Sequence, residues 1–138
     1  MPVAATRLLE PLRAPLLVGA GGLAAAAALL LRDPHVAGSW PVCPFLTLTG
    51  LPCPACGGLR ATQDLLTGHV TAALSSNAYA VLTVVLGGLA YVAWLASAVQ
   101  GRHPTWLRRS STGGGLWAAG LLVFGLVRLL PGLSVLRP

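Results

Sequence analysis

The sequence predicts an all-α membrane protein with about three transmembrane helices and a cysteine-rich loop, carrying a short interfacial helix, between spans one and two. Three observations carry this. Hydrophobic residues make up 55% of the chain and charged residues only 9%. Soluble domains carry about 25% charged residues, so this chain has too few charges to cover a soluble core. Three long apolar runs are joined by connectors rich in Pro, Gly and Arg, and all three cysteines fall in one window, Cys43 to Cys56. The 138 residues show no repeat and read as one membrane domain.

The first span covers residues 15–31, with no charge inside it. At 1.5 Å per residue it reaches about 25 Å, slightly less than a hydrocarbon core of about 30 Å. The same run can be read as a signal peptide with Arg7 and Arg13 as its basic region. Against that, it ends in Leu29-Leu30-Leu31-Arg32, a poor processing site. Gly21 with Ala25 and Gly22 with Ala26 put small residues four apart on helical faces, as do Ala93 and Ser97 in the second span. Such faces let helices approach closely in lipid.

The loop and its short helices fill residues 40–76. Pro41, Pro44, Pro52 and Pro54 fix φ and remove backbone donors, so no regular helix is expected before Cys56. After Gly57-Gly58, the stretch Leu59 to Leu66 mixes apolar and polar positions at helical spacing and stops at Gly68. It predicts a short amphipathic helix with Leu59, Thr62 and Leu66 on one face and Arg60 paired with Asp64 on another. That pair is an ordinary surface pair or, if buried at the membrane edge, a device orienting the loop. A second short helical stretch, residues 69–76, leads into span two.

The second span, residues 78–99, holds no charge, and its Tyr79, Tyr91 and Trp94 suit interfacial or packing positions. Residues 100–115, with Gly113-Gly114-Gly115, read as a flexible connector in which His103 is an exposed loop residue. The third span, residues 116–135, contains Arg128 and Pro131. Arg128 either snorkels toward the headgroups or faces the bundle and pairs with a carboxylate such as Asp64 or Asp33.

All nine basic residues are arginines, and the net charge is +6. They are scattered beside apolar runs and form no stripe, which argues against nucleic acid and for topology and lipid headgroups. Arg7, Arg13, Arg102, Arg108 and Arg109 share one side; Arg32, Arg60 and Arg137 share the other. The positive-inside rule then puts the N-terminus in the cytoplasm and the cysteine loop outside, in the plasma membrane.

The chemistry available is in Cys53-Pro54-Ala55-Cys56-Gly57. Two cysteines separated by two residues can point both sulfurs at one metal, and the string resembles a single zinc-ribbon or rubredoxin-type knuckle. A tetrahedral zinc needs four ligands. Cys43 is the candidate third and His69 or His35 the candidate fourth, with Asp64 a weaker one. The same spacing suits thiol–disulfide exchange by Cys53 and Cys56, the latter with a thiol pKa lowered at a helix N-terminus, although no β-α-β unit of the thioredoxin kind is present. A structural disulfide from Cys43, or inert thiols, is the third reading, and it leaves one cysteine over.

The window resembles a bacterial membrane family known only as a domain of unknown function. The residues that carry the resemblance are Cys43-Pro44, Gly50 through Gly57, Arg60, Gly68-His69 and Asn77, within about Trp40 to Val99. Family members usually have a proline after the Asn, where this chain has Ala78. The resemblance implies a small multi-pass membrane protein and no assigned reaction.

No nucleophile–base set, phosphate loop or paired carboxylate site is visible, and only three acidic residues are present. The leading expectation is a non-enzymatic structural or accessory membrane protein holding zinc through Cys43, Cys53, Cys56 and His69. The alternatives are a membrane thiol–disulfide oxidoreductase and a transporter or channel accessory subunit. The bilayer is the expected partner, with a membrane protein or a second copy of the chain beside it.

Overall fold

In the computed structural model the described residues are 3–51, 53–102 and 110–129, with backbone alone for 3–10 and 110–112. They form five helices and, among the described residues, no strand: α1 (Val3–Leu31), α2 (Pro44–Thr49), α3 (Gly58–Leu66), α4 (Val70–Val99) and α5 (Ser110–Leu129). The expected run of the third span to Val135, His103, and the arginines Arg108, Arg109 and Arg137 lie outside the described residues.

Two stretches are long and apolar enough to cross a bilayer: Pro11–Leu31, with mean hydropathy 2.0, and Val70–Val99, with 1.9. Gly113–Leu129 is a third, shorter apolar helix. Only 11% and 6% of the two long windows is buried within the chain. Apart from Leu29 and Val81, their leucines and valines are largely open to the outside, which distinguishes them from the core helices of a soluble protein. That outward face is the one lipid would solvate without cost.

Helix α1 contains Pro11 and Pro15, each removing an intrahelical N–H donor. Pro15 is fully buried, and its carbonyl accepts a hydrogen bond of 3.1 Å from the Tyr91 hydroxyl of α4. This contact is possible because residue 19, one turn on, is glycine: a Cβ there would collide with the Tyr91 hydroxyl. The close approach of α1 and α4 thus falls at Gly19. Gly21 and Gly22, the small residues expected to serve it, have nothing within reach of a Cβ.

The proline-bearing stretch differs from expectation. Residues Pro44 to Thr49 form a helical turn and a half before Cys56. Pro44 sits at the start of α2, where its missing N–H would have had no intrahelical partner and its fixed φ suits the helix. No other proline follows until position 52, and Gly50 closes the turn in a left-handed conformation with φ 70°.

Helices α3 and α4 fold back on each other as a tight hairpin. Ala61 and Ala73 are fully buried at their contact, with Val81, Leu65 and Ala80 around them. The small side chains bring the two backbones together. On α3, Leu59, Leu66 and Arg60 are exposed and Asp64 is buried, so the expected Arg60–Asp64 face is split and only its carboxylate turns inward to find partners.

Helix α4 is broken once, at Asn77, whose φ of −166° and ψ of 96° are extended. The short helix Val70–Ser76 ends there and the span proper begins at Ala78. Helix α5 crosses the start of that span. The Tyr79 hydroxyl donates to the Trp117 carbonyl at 2.5 Å, Trp117 Nε1 donates to Thr83 Oγ1 at 3.1 Å, and Tyr79 stacks on Phe124 with ring centroids 5.5 Å apart.

Candidate metal centre

The cysteines are brought together by two tight turns and one helix start. Cys43 caps α2 from an extended conformation. Ten residues later the chain returns, and the Cys56 N–H donates to the Cys53 carbonyl at 3.0 Å, closing a turn over Pro54 and Ala55. Gly57, with φ 83°, makes the left-handed step that lets α3 start at Gly58; a residue with a Cβ is strained there. The sulfurs of Cys43 and Cys53 lie 3.3 Å apart and those of Cys53 and Cys56 lie 2.9 Å apart. All three fall within 4.8 Å of one another, and none is in a disulfide.

Three sulfurs so placed could hold one ion. A tetrahedral zinc with bonds of about 2.3 Å spaces its sulfurs about 3.8 Å apart, so the cluster needs to open by about 0.5 to 1 Å to accept it. The thiols are partly buried rather than enclosed. Their acidities diverge. The backbone N–H of Leu46, in the first turn of α2, draws the Cys43 thiol below its ordinary range, helped by the Cys53 thiol. Burial pushes the Cys56 thiol up to about 12, helped by the neighbouring Cys53. The lowered pKa expected for Cys56 at the head of α3 is therefore reversed: loss of solvent and a crowded sulfur outweigh the helix dipole there.

Asn77 locks this loop to the membrane span. It is buried at 2% exposure. Its side-chain oxygen accepts the Ala80 N–H at 2.9 Å, capping the span. Its amide nitrogen donates to the carbonyls of Pro54 and Cys56 at 3.1 and 3.0 Å. One side chain thus ends the break in α4 and holds two peptide carbonyls of the cysteine turn.

The far wall of the site comes from α5. Gly125 presses on Pro54 so closely that a Cβ would enter the proline ring. One turn on, Arg128 is fully buried. Its guanidinium donates to the Cys56 carbonyl at 2.9 Å and lies 5.4 Å from the centre of the Phe124 ring. Arg128 faces the bundle and does not snorkel, and it meets the cysteine turn there. Sequence reasoning flagged Arg128 as an intramembrane charge but had no means of joining it to a loop 72 residues earlier.

The remaining polar residues build a second cluster one helix length away. Asp64 accepts from His35 Nε2 at 3.0 Å and from Ser76 Oγ at 3.3 Å. Arg60 Nε donates to the Pro34 carbonyl at 3.2 Å, and Gln63 donates to the Leu29 carbonyl at 3.3 Å. The expected Arg60–Asp64 pair is thus replaced by contacts with Pro34 and His35, just past the end of α1, which together with the Gln63–Leu29 bond dock the first span onto α3. His69 stands after the last turn of α3, where its Nδ1 is 3.0 Å from Thr67 Oγ1. The nine residues of α3 separate it from the head of the helix, a rise of about 13 Å. Neither His69 nor His35 is part of the sulfur group.

No curated protein matches the chain, and no solved structure does. Residues 43–91, which open on Cys43 and take in the cysteine turn, α3 and most of α4, match the model of a family described as a protein of unknown function (DUF2752), so this stretch is similar to an uncharacterised family.

Proposed function

We propose that this chain is a small integral protein of the plasma membrane that holds one thiophilic metal ion, zinc, on Cys43, Cys53 and Cys56, and that the ion has a structural role. One observation carries the reading: three sulfurs from two separate loop segments converge within 4.8 Å. The ion joins the start of α2 to the start of α3, and through Asn77 and Arg128 these are tied to both later helices. Such a centre braces a loop that has little apolar core of its own. The arginine distribution supports an N-terminus in the cytoplasm and the centre on the outer side. A membrane protein or a second copy of the chain is the partner this surface would meet.

The test is elemental analysis of the full chain purified in detergent, with thiol counting before and after chelation. One equivalent of metal, with three thiols protected until chelator is added, supports the reading. His69→Ala is expected to keep that stoichiometry, because the ring lies outside the sulfur group. The second reading is thiol–disulfide exchange by Cys53 and Cys56, favoured by their 2.9 Å sulfur separation. It is chosen if metal is absent and two of the three thiols are oxidised.

A further inference from the structure

We propose that the sulfur centre is a redox-controlled clasp: a peroxide joins Cys53 to Cys56, the metal ion leaves, and α2 is freed from the rest of the chain. The inference rests on the metal reading above and names the regulation of that site.

The three cysteines are not equivalent. Cys53 and Cys56 belong to one closed turn, in which the Cys56 N–H donates to the Cys53 carbonyl at 3.0 Å. A four-residue turn keeps its end Cα atoms within about 7 Å, and a disulfide needs about 4.4–6.8 Å. The turn is also held from outside, because Asn77 donates to the Pro54 and Cys56 carbonyls at 3.1 and 3.0 Å. The two sulfurs, 2.9 Å apart, are thus brought together by contacts that do not involve an ion.

Cys43 stands on a looser segment. It caps α2, a helix with no buried residue, and every residue from 44 to 51 is exposed. The Thr47 and Thr49 hydroxyls donate only to carbonyls of residues 43 to 45. Among the described residues, the hydrogen bonding that leaves residues 43–51 starts at the Cys43 sulfur, 3.3 Å from that of Cys53. The sulfur group is therefore what fastens α2 to the bundle. A disulfide between Cys43 and Cys53 keeps that fastening, whereas one between Cys53 and Cys56 opens it.

Zinc has no redox chemistry, so sulfur supplies the electrons. One thiolate of the pair attacks the peroxide, the O–O bond breaks, and a sulfenic acid and one water form. The second thiolate displaces the sulfenic hydroxyl, which leaves as a second water, and the S–S bond forms. Two electrons pass from the two sulfurs to the peroxide, and two protons come from solvent. Cys43 is left as the single sulfur ligand, too few for an ion that takes four. The outward placement proposed above puts the centre where disulfides form and persist.

The test uses the full chain in detergent, reduced with a phosphine, loaded with Zn²⁺ and then treated with hydrogen peroxide. Released zinc is read with a chromophoric chelator, the linkage by mass mapping after alkylation, and the state of α2 by amide hydrogen exchange over residues 47–50. The expected result is one zinc released per disulfide, Cys53 linked to Cys56, Cys43 alkylated, and exchange at 47–50 several-fold faster while that of α3 is unchanged. In Cys56→Ser, peroxide can make within one chain only the Cys43–Cys53 link, and exchange at 47–50 should stay near that of zinc-loaded wild type. Four outcomes overturn the inference and leave the metal reading in place. They are a Cys43–Cys53 link in wild type, zinc loss without a disulfide, zinc loss with unchanged exchange at 47–50, and equal acceleration in oxidised Cys56→Ser. Should Cys56→Ser fail to stay monodisperse, the wild-type linkage and exchange decide alone. If the reduced wild-type chain binds no zinc, the metal reading falls and this inference with it.

Discussion

Replacing Asn77 with alanine tests how the cysteine turn is attached to the bundle. The side chain makes three hydrogen bonds, one to the Ala80 N–H and two to the carbonyls of Pro54 and Cys56. Loss of a helix N-cap costs about 1 kcal/mol. Each of the other two bonds contributes about 1 kcal/mol by soluble-protein values or about 0.6 kcal/mol by membrane-protein values. Asn77→Ala is therefore expected to destabilise the chain by about 2–3 kcal/mol in an SDS titration from mild detergent, and to speed alkylation of Cys56. Asn77→Asp separates the contributions. Its carboxylate keeps the cap but loses both donors and sets a negative charge against two carbonyl oxygens. It should match or exceed the loss in Asn77→Ala. If Asn77→Asp behaves like wild type, the cap alone matters and the clamp on the cysteine turn is refuted.

Three further perturbations probe other contacts. Gly125→Ala places a methyl group in the Pro54 ring, and such overpacking costs about 1–3 kcal/mol; lowered metal stoichiometry with retained helicity by circular dichroism is the expected signature. His35→Ala removes the ring bonded to the buried Asp64; because His35 itself is 43% exposed, the cost is about 1 kcal/mol, and a loss larger than that of Asn77→Ala would show that α1 docking dominates the fold. In metal-free protein at neutral pH, Cys43 should alkylate first and Cys56 last. A lowered pKa raises the thiolate fraction of Cys43, and a pKa near 12 suppresses that of Cys56. Mass mapping of a timed iodoacetamide reaction checks the order, and early labelling of Cys56 contradicts it.

The helical class, the spans and the cysteine cluster were legible because each depends on local composition. An uncharged apolar run of 17 or more residues has few alternatives, and three cysteines within fourteen positions are close before any folding occurs. Helix α2 was missed because prolines were counted as breakers wherever they stood, although Pro44 begins a helix and the next proline lies beyond it. The burial of Asp64 stood in the sequence as one of two readings, and only its contact with His35, 29 positions earlier, decides between them. The walls of the site were legible only as single residues, Asn77 through the resemblance and Arg128 as a charge inside a span, and not as neighbours of the cysteine turn. Asn77 and Arg128 reach the cysteine turn across 21 and 72 positions, and no spacing rule within a single sequence connects them. His69 drew attention through its residue type and nearness in sequence, yet the length of α3 carries it away from the sulfurs.

Because Arg128 is synthesised 72 residues after Cys56, the cysteine turn emerges from the ribosome and must wait for its last wall. Until α5 is inserted, Pro54 and the Cys56 carbonyl face lipid or water in place of Gly125 and the guanidinium. Completion of this pocket therefore reports that α5 has been delivered, which makes the cysteine turn a late-maturing part of the molecule.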